Sequence, residues 1–208
     1  MPREVRERQM MDAAVRTFGR RGYQAASMDE IAELAGVSKP LVYLYLHSKE
    51  ELFTACIRRE SEALLGVVAA AVEGDGPAEE RLRAGVLAFF THTAEHPDSW
   101  AVLSRQARAH GEPFATEAER MRERITGYVG QLVAAASQGP CDAEGLAQAL
   151  VGAAEALANW ANGRPGVPPE RATETLMGLV WRGLGSLVPV SVPMPVSAPD
   201  LSKTRSKP

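Results

Sequence analysis

The chain has 208 residues, 45% of them apolar and 24% charged, a globular composition that excludes wholesale disorder. A net charge of −3 excludes a uniformly basic nucleic-acid coat, and two cysteines, Cys56 and Cys141, are too few for a disulfide framework. The charged opening MPREVRERQM carries no signal-peptide pattern and no run reaches a membrane span of roughly 18 apolar residues, so a soluble cytoplasmic protein with no membrane partner is expected.

Apolar and polar residues never alternate for long, so helices are predicted almost throughout. Met11, Ala14, Val15 and Phe18 share one face and predict a helix over 4–20, which Gly22 leaves. Ser27-Met28-Asp29-Glu30 fits a capping box, with the Ser27 hydroxyl accepting from a backbone amide and Glu30 reaching back to the Ser27 amide. It opens a short helix from Met28 to Ala35, ended by Gly36. Ser38 can cap a second short helix, Lys39 to Leu46, with Pro40 tolerated in its first turn. Ser48-Lys49-Glu50-Glu51 is a second capping box and opens a long helix, about 49–72. Beyond Gly74-Asp75-Gly76-Pro77, helices are predicted at 78–95, 98–109, 115–137, 142–162 and 169–187, separated by Gly- and Pro-containing breaks. From Pro189 five prolines interrupt a stretch without helical period, which reads as a mobile tail. The expected architecture is all-α: a three-helix head over 1–48, a helical body over 49–188 and a disordered tail over 189–208.

Two short helices joined by Gly36-Val37-Ser38 have the layout of a helix-turn-helix, whose second helix enters the DNA major groove. Met28, Ile31, Ala32 and Ala35 can pack the first inward, Gly36 permits a left-handed turn, and Val37 can plug the core. On the second, Lys39, Tyr43, His47 and Lys49 offer donors to phosphate, while Pro40, Leu41 and Leu44 suit thymine methyls or sugars. Tyr45 fits core and DNA contact equally. So apolar a helix reads few bases by hydrogen bond, and shape, water and apolar contact should supply much of the specificity.

Residues 1–60 carry a net charge of only +1, against −6 over 61–190 and +2 over 191–208. Placement can compensate for total. The helix starts at Ser27, Ser38 and Ser48 present free amides to anions, Lys39 and Lys49 sit beside two of them, and Arg3, Arg6 and Arg8 can form a basic arm. Glu30, Glu33, Glu50 and Glu51 can face away. Weak non-specific binding and a moderate salt slope follow.

The stretch AAVRTFGRRGYQAASMDEIAELAGVSKPLVYLYLHSKEELFTACI resembles the N-terminal domain of TetR-type transcriptional regulators. The resemblance rests on Arg-Gly-Tyr after the first helix, Ser27, Ile31-Ala32, Ala35-Gly36-Val37-Ser38, Tyr43, Tyr45 and Ser48-Lys49-Glu50-Glu51-Leu52-Phe53, and covers residues 10–57. Leu41 stands where the family often has threonine, removing a possible phosphate contact, and Leu46 where it often has phenylalanine. The resemblance implies a helical body that dimerises and encloses a ligand pocket.

The body suits both roles. Leu146, Leu150, Ala153, Ala154 and Leu157 make one apolar stripe, and Leu176, Leu179, Val180, Gly183, Leu184 and Leu187 another; two such helices from each chain would form a four-helix seam. Intramolecular burial of the same stripes is the alternative. Phe89, Phe90, Trp100, Met121, Tyr128 and Trp160 can line a cavity, with Gln106, Glu155 and Asn159 as polar handles, or can be plain core. One buried carboxylate, Glu155, would suit a cationic ligand. No phosphate-binding loop, nucleophile elbow or zinc-protease motif is present. His92 and His96 lie four apart but lack further metal ligands. Neither a catalytic residue nor a metal nor another cofactor is expected.

The leading expectation is a homodimeric, ligand-responsive transcriptional regulator, a repressor that a small molecule releases from a palindromic duplex operator. An activator or ligand-independent regulator is the alternative, and a helical small-molecule binding protein or enzyme with a non-functional head is a third.

Overall fold

The computed structural model describes residues 3–45, 47–137, 139–164 and 166–184; the predicted tail from Pro189, and Leu46 and Leu187, lie outside the described residues. The described residues hold helices and no strand: α1 (Arg3–Arg21), α2 (Met28–Leu34), α3 (Lys39–Tyr45), α4 (Lys49–Val72), α5 (Ala78–Glu95), α6 (Pro97–Ala101), a π-helical turn (Val102–Gln106), α7 (Ala107–Ala109), α8 (Phe114–Ala136), α9 (Ala143–Asn162) and α10 (Pro169–Leu184). The all-α expectation is found, and the predicted helices are in place with ends displaced by one or two residues where they are described, except that the one predicted over 98–109 is divided into α6, the π-helical turn and α7.

Local chemistry accounts for the boundaries. Gly22 ends α1 in the left-handed region at φ +80°, and its amide donates to the Phe18 carbonyl at 2.9 Å. Ser27 and Ser48 cap α2 and α4, accepting from the Asp29 and Glu51 amides at 3.2 and 3.0 Å. The Ser27 capping box is only half formed. Glu30 does not return to the Ser27 amide; its carboxylate accepts from Arg21 Nε at 3.2 Å instead. Asp142 caps α9 by accepting from the Gly145 amide at 2.9 Å.

In the head, α1 packs on α2, and α2 on α3. Phe18, Ile31, Val42, Phe53 and Ile57 are fully buried between the head and the start of α4, each contributing about 1.5–3 kcal/mol by removal from water. The body is built on α4, α5, α8 and α9, with α10 against α5 and α9. The segment from α6 to α7 runs between the two regions, packed on α1 at one end and α8 at the other.

Candidate DNA interface and ligand cavity

The α2–α3 turn is built as its residues require. Gly36 adopts φ +66°, and the Gly36 and Val37 amides donate to the Glu33 and Ala32 carbonyls at 3.0 Å each. Met28, Ile31 and Ala32 are buried, and Ala35 and Val37 half-buried. In α3 Val42 alone is fully buried. Pro40 is exposed, as are Tyr43 and Leu44 at 39% and 70%. Lys39 and His47 are also exposed, so this face presents donors beside apolar groups. Leu41 is half-buried, between face and core.

Three predicted contacts have partners within the chain. Tyr45 is half-buried with the Arg3 guanidinium 5.1 Å from its ring centre. Lys39 Nζ reaches Asp29 at 2.9 Å, and that hydrogen bond and charge raise its pKa. Lys49 Nζ donates to the Gln24 carbonyl at 3.1 Å and lies 4.8 Å from the Tyr23 ring centre; burial lowers its pKa. Lys39 therefore shares its charge with a carboxylate, whereas Lys49 is drawn inward. Arg3, Arg6 and Arg8 belong to helix α1 instead of a separate basic arm. Ser27 and Ser38 are exposed and Ser48 half-buried; the Ser38 carbonyl accepts the Leu41 and Val42 amides at 3.0 and 3.3 Å. Of the four carboxylates expected to face away, Glu33, Glu50 and Glu51 are exposed, and Glu30 is held by Arg21.

A joint that the sequence pattern did not reveal ties head to body. Tyr23 packs its ring against Phe53, Phe114 and His110, with centroids 4.9, 5.1 and 5.3 Å away. Gln106, expected in the ligand pocket, instead accepts the Tyr23 amide. Gly19 lets α1 approach α6 so closely that a Cβ there would lie 2.6 Å from the Asp98 carbonyl oxygen. Arg20 pairs with Asp98 at 3.1 Å beside this contact.

Between α4, α5, α8 and α9 lies a narrow apolar cavity of about 50 Å³. Leu64, Val68 and Val72 line it from α4, Leu82, Val86 and Phe89 from α5, Ile125, Val129 and Leu132 from α8, and Leu150, Val151 and Ala154 from α9. Of the predicted ligand residues, Phe89, Trp100, Met121, Tyr128 and Glu155 are in the wall. Phe90, Asn159 and Trp160 are outside it. Phe90 is core at 2% exposure; Asn159 accepts from Trp100 Nε1 at 2.9 Å behind the wall; Trp160 is 40% exposed beneath the Arg164 guanidinium. The aliphatic residues were missed because no aromatic marked them.

The carboxylate expected to suit a cationic ligand, Glu155, already has cationic partners within the chain. Arg108 and Arg122 both donate to Glu155 Oε1, at 2.9 and 3.2 Å, so its charge is already answered. The seam stripes divide as well. Leu150 and Ala154 line the cavity and Leu176 is core at 2% exposure, whereas Leu146, Ala153, Leu157 and Val180 are half-buried and Leu179 is 67% exposed. The side chains of Gly183 and Leu184 lie outside the described residues. Among the described residues no helix is long and apolar enough to cross a membrane, and no group of three His, Cys, Asp or Glu is arranged to hold a metal.

The comparisons agree with this geometry. The pattern described as "Bacterial regulatory proteins, tetR family" matches residues 10–56, and "Tetracyclin repressor-like, C-terminal domain" matches residues 78–183. The chain is 32% identical over 196 residues to the HTH-type transcriptional activator FasR of Mycolicibacterium smegmatis, covering 92% of this chain and 88% of that one. A TetR-like transcriptional regulator from Rhodococcus sp. RHA1 superposes with a TM-score of 0.81 at 39% identity, covering 89% of this chain and 99% of the other. The regulator FadR from Bacillus subtilis, solved in complex with stearoyl-CoA, shares the fold at a TM-score of 0.74 and 16% identity, over 84% of this chain and 97% of that chain. A helix-turn-helix with an outward donor-bearing second helix, carried on a helical body matched along most of its length, assigns this chain to the TetR family of bacterial DNA-binding transcriptional regulators.

Proposed function

We propose that two copies of this chain pair through α9 and α10 and read a palindromic operator with their two α3 helices, one per half-site. The head comprises residues 1–48 and the body 49–188. One seven-residue recognition helix offers too little contact for specific binding; two, held about 34 Å apart or a near multiple, read two half-sites. The outward faces of α9 and α10, where Leu179 and Trp160 are exposed, supply apolar surface for pairing.

The observation that carries this reading is the directness of the path from DNA face to cavity. Only three residues separate α3 from α4, and α4 itself contributes Leu64, Val68 and Val72 to the cavity wall. A ligand that parts α4 from α8 must tilt α4 and alter the separation of the two heads. It lowers operator affinity only if it binds the DNA-incompetent arrangement better. The cavity suits an apolar chain, and proteins of this fold hold stearoyl-CoA or isovaleryl coenzyme A in their solved complexes. The wall residues we assign to the ligand are Phe89, Trp100, Met121, Tyr128 and Glu155. No catalytic role is assigned.

Footprinting and mobility shift on the DNA upstream of the chain's own gene test the reading. One protected, two-fold symmetric site at moderate salt is expected, and no protection rejects it. The name of the FasR relative favours a second reading, an activator. Transcript levels in a deletion strain separate them: targets rise on loss of a repressor and fall on loss of an activator.

A further inference from the structure

The cavity has two unlike ends. Along α8 its wall includes Met121 and Arg122 and runs to Leu132, about 15 Å from Arg122 at the rise of an α-helix. Leu132, like Val72 and Leu82 elsewhere in the wall, is aliphatic. At the other end, side chains from three helices converge on one oxygen. Glu155 Oε1, from α9, accepts from Arg108 of α7 at 2.9 Å and from Arg122 of α8 at 3.2 Å. Arg122 also donates to Gln148 Oε1 at 2.6 Å, and Glu119 stands 4.0 Å away, 54% exposed. The side chains of Arg122 and Glu155 keep only 17% and 16% of their exposure, while Arg108 keeps 45%. The cluster thus leads from the cavity wall to solvent.

Two guanidiniums share one half-buried carboxylate oxygen. Each guanidinium offers five N–H donors in a planar fork matched to carboxylate or phosphate. Glu155 takes one bond from each, Gln148 takes a second from Arg122 and the exposed Glu119 stands beside it, so the cluster is balanced in charge but keeps unspent N–H donors at the mouth of an otherwise apolar space. Guanidinium donors held in such surroundings suit an anionic partner in place of the internal carboxylate.

Resting on the ligand-responsive reading above, we propose that Arg108 and Arg122 seat the anionic head of an amphiphilic ligand whose apolar chain extends toward Leu132. Glu155 is the internal carboxylate that fills this seat when the ligand is absent. Binding exchanges one anion for another. It releases α9 from α7 and α8 without stranding either arginine. The shared chemistry is a carboxylate or phosphate joined to a chain of fatty-acyl type.

Calorimetric titration of the full chain with dodecanoate, dodecanoyl-CoA and uncharged methyl dodecanoate tests this. A charged probe binds the wild type, and preference for dodecanoate or dodecanoyl-CoA identifies the head as carboxylate or phosphate. Glu155→Gln, which removes the competitor, tightens the charged probe about tenfold, and Arg122→Met weakens it by about tenfold or more. Arg108→Met, at a more exposed position than Arg122, weakens it in the same sense. Methyl dodecanoate changes less than about twofold in all three. Equal responses of charged and uncharged probes overturn the proposal, as does absence of binding by every probe. In the last case a surviving mobility shift keeps the operator reading standing separately.

Discussion

The backbone amide of Tyr23 donates to the side-chain carbonyl of Gln106 at 3.3 Å, across 83 positions of sequence. This bond joins the loop after α1 to the end of the π-helical turn. It is possible because Gly22, immediately before Tyr23, has no Cβ; one would lie 3.1 Å from Gln106 Oε1. Trp100, one helical element upstream of Gln106, lines the cavity. Head and cavity therefore touch the same segment.

Gly22→Ala adds a methyl group at φ +80° and presses it on Gln106. Loss of about 1–2 kcal/mol of stability is expected from the backbone conformation alone. Urea denaturation measures it, and a midpoint equal to wild type refutes the claim that this joint is tight.

Tyr43→Phe removes a hydroxyl from an exposed ring on α3. Stability should not change, while operator affinity falls by about 0.5–1.5 kcal/mol, one phosphate hydrogen bond. Unaltered operator binding by fluorescence anisotropy excludes that contact.

Lys39 is shared with Asp29 in the free protein. Asp29→Asn frees it for phosphate, so the mutant should bind all DNA sequences more tightly and alike. Lys39→Ala should weaken binding uniformly and reduce the salt slope by about 1. Sequence-dependent effects in either variant argue instead for base contact.

Cys56 is fully buried, and desolvation pushes its thiol far above the ordinary range; Cys141 is exposed. Native protein treated with iodoacetamide should gain one adduct, at Cys141, and denatured protein two. Labelling of Cys56 at a comparable native rate contradicts the packing of α4.

Burial, and then the neighbouring His96, hold the His92 pKa below the ordinary imidazole value, and its buried Nε2 has no hydrogen-bond partner among the described residues. The unfolded chain therefore takes up this proton first as pH falls. Stability should drop from about pH 6.5 downward until native His92 also protonates. His92→Gln should flatten that part of a stability–pH profile; an unchanged slope in the variant assigns it elsewhere.

Sequence alone determined the helices, the turn and the outward face of α3. Capping residues, glycines and apolar period act over four residues or fewer, so Ser27, Gly36 and Ser48 carry that information locally. Tertiary structure decided which distant groups meet. Gln106 went to Tyr23 and not to the cavity, Glu155 found Arg108 and Arg122, and Leu150 faced the cavity. An amphipathic stripe states that a face is buried but not against what, because helix periodicity is blind to how neighbouring helices are rotated and crossed.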